Sequence, residues 1–103
     1  MSEEEYETGF LNDLVLLRND PELIFRVLPL AEAGNPHAQY AMGLIYAEGR
    51  GVEQDSIKAY VWLSRAARSG DQEAILLRDM LMNQMSREEI ALAQRELSKQ
   101  AIQ

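Results

Sequence analysis

The stretch YAEGRGVEQD, residues 46–55, sets two glycines about an arginine, adds a valine and a polar spacer, and ends on an aspartate. The segments on either side, PHAQYAMGLIYAEG before it and SIKAYVWLSRAARSG after it, both read as helices. Gly49 and Gly51 can adopt positive φ without a Cβ clash, so the chain can turn sharply there. Val52 is placed to plug back between the two helices, and Asp55 to cap the start of the second. The corner therefore predicts a helical hairpin. Gly49-Arg50-Gly51 has some likeness to a phosphate cradle, but such loops join a strand to a helix and carry further glycines. A structural turn explains the residues better.

Outward from the corner, the rest of the chain also reads as helix. Residues 6–18, with Phe10, Leu14 and Leu17 near the helical period, form a first helix stopped by Asn19-Asp20-Pro21. Asp20 and Pro21 start a second helix that runs to about Ala33 and closes at Gly34, with Pro29 as an interior weakness. Asn35 and Pro36 start a third, which runs to about Glu48. The fourth begins at Asp55 or Ser56 and closes at Gly70. Asp71 starts a fifth, reaching about Asn83. Ser86 and Glu89 make a capping box for a sixth, which carries Ile90, Ala93, Leu97 and Ala101 down one face. No segment reads as a convincing strand.

A shift of 36 residues pairs Ala31 with Ala67, Gly34 with Gly70 and Ala38 with Ala74, while Leu44 meets Met80 and Ile45 meets Leu81. Small residues at matching places let neighbouring helices approach closely, as stacked repeats require. The repeating unit is a helix pair.

Composition limits what such a chain does. Its 103 residues make one domain, with no room for a separate catalytic unit. There is no cysteine, which removes disulfides, thiolate metal sites and a cysteine nucleophile. The acidic N-terminus is unlike a secretory signal and no apolar run is long enough to span a membrane, so a cytoplasmic location is expected. Of the net charge of −7, residues 1–22 carry −6, with seven acids against Arg18. Nucleic acid is disfavoured as a partner, because a phosphate-binding surface needs clustered Lys and Arg. The acidic leader reads as a solvated, solubilising segment, or as one that steers a basic partner.

The residues of 38–70 that fall into a pattern are Ala38, Tyr40, Gly43, Tyr46, Gly49, Gly51, Val52, Asp55, Lys58, Ala59, Trp62, Ala66, Ala67 and Gly70. In this order and spacing they closely resemble the Sel-one-like repeat, a relative of the tetratricopeptide repeat. Only Met42 stands where leucine is more usual. The resemblance implies an all-α fold: a short α/α solenoid of about six antiparallel helices in a single domain, 1–103. One full repeat at 35–70 would lie between an N-terminal helix pair at 6–34 and a C-terminal pair at 71–103, both departing from the pattern by lacking the glycine corner. Gly43, Tyr46, Gly49, Gly51, Asp55, Trp62, Ala66 and Gly70 are then structural positions. Tyr46 and Trp62 read as core aromatics rather than a ligand-stacking pair.

Proteins of this architecture usually bind partners on the concave face lined by the first helix of each pair. The resemblance places His37, Tyr40, Leu44 and Glu48 on that face of the third helix, and Glu73, Leu76, Met80 and Asn83 on that of the fifth. They make an apolar strip with a polar rim, suited to an extended peptide or a partner helix with basic or amphipathic character. The alternative is that the end pairs cover the strip and make it core. His37 has no second histidine or cysteine beside it, and Ser56 and Ser64 have no evident activating partner. No metal, cofactor or catalytic residue is expected, and the reading is a non-enzymatic adaptor or inhibitor, as monomer or weak homodimer. Self-association through the terminal helices is the alternative, and a hydrolase would need an acid or metal cluster assembled by the fold.

Overall fold

The computed structural model of the chain describes Glu22 and residues 24–102. Among the described residues there are five α-helices: α1 Ile24–Glu32, α2 Pro36–Glu48, α3 Ser56–Arg68, α4 Gln72–Met82 and α5 Arg87–Ile102. No strand occurs among the described residues. The fold is an all-helical short repeat stack, and its five helices coincide with the second to sixth of those expected. The expected helix at 6–18 and the Asp20-Pro21 start signal lie outside the described residues.

The three-residue turns at 33–35 and 69–71 are the same device used twice. Gly34, at φ 102°, donates to Ala31 O, and Asn35 N donates to Leu30 O. Thirty-six residues on, Gly70, at φ 93°, donates to Ala67 O and Asp71 N donates to Ala66 O. Each pair of bonds satisfies carbonyls that a helix end leaves open. The residue after each glycine then caps the next helix: Asn35 Oδ1 accepts from His37 N and Ala38 N, and Asp71 Oδ1 from Ala74 N. The internal repeat read from the letters is thus a repeat of hydrogen bonds.

The corner at 49–55 is closed from both sides. Gly49 and Gly51 have φ of 68° and 74°, in the left-handed region. Asp55 N donates to Tyr46 O at 2.9 Å, and Gln54 Nε2 to Ala47 O at 2.9 Å, satisfying the last carbonyls of α2. Val52 packs back on the core, and Asp55 caps α3 by accepting from Lys58 N. Arg50 Nε donates to Glu48 Oε2 at 2.6 Å, tying the loop to the end of α2.

Packing centres on α3, which lies against α2, α4 and α5, while α1 lies against α2. Met42, Ile45 and Leu63 are the largest side chains fully removed from water. Close approach of α2 and α3 depends on Gly43, where a Cβ would stand 2.5 Å from Leu63 Cγ and Cδ2. Gln39, also buried, donates from Nε2 to Ala31 O and pins the end of α1 to α2. On α5 the capping box forms as expected, with Ser86 Oγ and Glu89 Oε1 each accepting the other residue's backbone N–H. Ala93 is buried, and Ile90 and Leu97 pack on the cluster that includes Ala59 and Leu63.

The two aromatic positions are half-buried and pack on the core clusters. Trp62 is half-buried against the cluster containing Ile24 and Val27, with the Arg65 guanidinium 4.5 Å above its ring. Tyr46 packs on both core clusters and carries Lys58 at 5.3 Å. Each exposed ring face is covered by a cation, a contact favourable for aromatic quadrupoles. Trp62→Ala is expected to cost about 2 kcal/mol, below the range for a fully buried tryptophan because the ring is half-exposed. A thermal melt checks this; a variant that melts with wild type and has lost only partner binding would remove Trp62 from the framework.

Candidate functional site

The equivalent turns bring the starts of α2 and α4 to the two sides of an open cavity of about 850 Å³. Pro36, His37, Ala38 and Tyr40 line one side and Asp71, Gln72 and Glu73 the other, with Leu30 of α1 at the edge. Tyr40 is half-buried on the cluster that includes Ala74, the first buried residue of α4. Burial pushes its phenol above the usual tyrosine range, and the negative charges of Glu73, Asp71 and Glu48 push it further the same way. The group remains a neutral hydrogen-bond donor in a field of negative sign.

That field decides which ligands fit. Two helix starts at one cavity would ordinarily suit an anion. Here Asn35 and Asp71 already accept from the first turns, and Glu73 adds a second carboxylate. The cavity suits a cationic group beside an apolar one.

The fold gathers three of the expected contact residues, His37, Tyr40 and Glu73, around this cavity. Leu44 is half-buried and packs on the first core cluster, and Glu48 is exposed at the end of α2, held by Arg50. Leu76 and Met80 stand out from α4 with 65% and 61% exposure, and Asn83 is exposed after its last turn. The strip is thus half-covered on α2 and open on α4. Leu30, 52% exposed at the cavity edge, was not among the expected contacts. Its signal was present in the letters: Ile24, Val27 and Ala31 mark the buried stripe of α1, and Leu30 is a large apolar residue off that stripe.

Two helices joined by a corner that closes on the first and caps the second, with glycine where they touch, define one structural unit. Residues 36–71 match the family model of the Sel1 repeat. The chain carries a Sel1 repeat over these residues. Neither a curated protein nor a solved structure matches it. Sel1 repeats generally mediate protein–protein interaction and are typically non-catalytic. Among the described residues of this Sel1-repeat chain, no three His, Asp or Glu side chains converge as a metal would need. Ser64 Oγ is buried without a hydrogen-bond partner among the described residues. No helix among the described residues is long and apolar enough to cross a membrane.

Proposed function

We propose that this Sel1-repeat chain is a non-enzymatic adaptor or inhibitor of the cytoplasm that captures a segment of a partner protein on the surface carried by α2 and α4. His37, Tyr40, Leu44, Glu48, Glu73, Leu76, Met80 and Asn83 form its contact set. The observation that carries this reading is the cavity between the two helix starts, where Leu30 and Tyr40 offer apolar surface beside Asp71 and Glu73. A lysine or arginine flanked by an apolar residue fits that combination. The acid-rich residues 1–22 would add long-range attraction for the same partner.

A capture experiment from native lysate tests the proposal. Wild type is compared with a variant carrying serine at Tyr40, Leu44, Leu76 and Met80, and with a milder Leu30→Ser/Glu73→Lys variant. Tyr40 and Leu44 are half-buried, so circular dichroism must show the first variant helical, whereas Leu30 and Glu73 are exposed. A protein retained by wild type and lost by both folded variants is the expected result. Equal retention by all three would place binding on another surface.

A further inference from the structure

The 36-residue shift lays Leu76 on Tyr40 and Met80 on Leu44, yet the two pairs differ in environment. Tyr40 and Leu44 are half-buried, while Leu76 and Met80 are 65% and 61% exposed. The difference has a cause in the order of the stack. After α2 comes α4, which brings Ala74 to the cluster on which Tyr40 rests. After α4 comes α5, but α5 packs along α3, so among the described residues no helix takes the corresponding place beside α4. The exposed residues Glu73, Leu76, Asp79, Met80 and Asn83 recur at helical spacing, an apolar centre with acidic flanks.

We propose that this stripe of α4 is the open end of the stack, and that in a complex a cationic amphipathic helix of a partner protein closes it, seated where the first helix of a further repeat would pack. This rests on the reading above that α4 belongs to the binding surface. Three observations choose the occupant. The stripe presents Glu73 and Asp79, and Arg78 beside it is half-buried and, among the described residues, pairs with Asp79, at 3.4 Å. A second copy docking by the same face would bring two acid-bearing stripes together, which costs energy, whereas lysines or arginines flanking an apolar ridge complement the acids. The surface is a single helix with no strand edge, so an extended segment would leave its backbone groups without partners here, while a helix satisfies its own.

The probe is a synthetic amphipathic helix of about 18 residues, long enough to hold helical structure, with a leucine ridge flanked by lysines. Two controls replace every lysine by glutamate or break the ridge with a central proline. Binding is read by fluorescence anisotropy against wild type, Leu76→Ser/Met80→Ser and Leu30→Ser, all at exposed positions, with sedimentation of each protein alone. Expected is binding of the lysine helix only, weakened at least about tenfold by Leu76→Ser/Met80→Ser. Loss with Leu30→Ser alone would overturn the stack-end proposal and leave the cavity reading standing; no binding of the lysine helix, or loss with neither variant, would overturn the proposal outright. Equal binding of the glutamate or proline helix would remove the stated chemistry, and a dimer abolished by Leu76→Ser/Met80→Ser would assign the face to a second copy.

Discussion

Gly43→Ala is expected to destabilise this protein although it places a better helix former in the middle of a helix. Alanine for glycine inside a helix is worth about 1 kcal/mol in its favour. The new methyl, however, would stand 2.5 Å from Leu63 Cγ and Cδ2, and Leu63 is fully buried, so its displacement disturbs the core. Overpacking of this kind costs about 1–3 kcal/mol, occasionally more. The net expectation is a loss of about 1 kcal/mol for Gly43→Ala and about 3 kcal/mol for Gly43→Val, which adds bulk without the full gain in propensity. A domain of this size loses about 4–8 °C of melting temperature per kcal/mol.

The mechanism is checked by changing the other partner. Leu63→Ala alone is expected to cost about 2–5 kcal/mol through the cavity it leaves. In that background the obstructing atoms are gone, and the next contact of the new methyl is Ala59 O at an ordinary 3.5 Å. Gly43→Ala then becomes neutral or stabilising, a coupling of about 1–3 kcal/mol in a double-mutant cycle. Equal effects in the two backgrounds would show that something other than contact with Leu63 selects glycine there.

At the corner the expected loss has a different origin. Gly49→Val forces a β-branched residue to φ 68°, with its Cβ 3.2 Å from Gln54 N and 3.3 Å from Val52 O. Both are backbone atoms, held by a loop that is bonded at Tyr46 O and Ala47 O. A non-glycine residue in this region costs about 1–3 kcal/mol, and a β-branched one falls at the upper end. Gly51→Val, at φ 74°, should lose a comparable amount. Gly49→Asn is the discriminating control, because asparagine tolerates the left-handed region. It should recover part of the loss in a denaturant melt; an unchanged melting temperature for either valine variant would refute the conformational account of the corner.

Much of this architecture was legible because its signals are local. Gly34, Gly70, Asn35, Asp71 and the Ser86/Glu89 pair act within a few residues of themselves, through bonds between a turn and the helix beside it. The corner was readable for the same reason, since Gly49, Val52 and Asp55 each have one task that their chemistry announces. The contact set was only partly legible. His37, Tyr40 and Glu73 meet around one cavity, but Leu30 joins them from α1 because the turn at Gly34 swings the end of that helix to the cavity edge.

The sequence by itself determined the helices, their stops and starts, the 36-residue register and the Sel1 repeat, all consequences of backbone preference and short-range capping. Tertiary structure alone decided which equivalent residues meet water. Tyr40 and Leu76 occupy the same place in the register, yet one is half-buried and the other 65% exposed. Burial is set by what packs alongside, and α5 turns to α3 instead of covering α4.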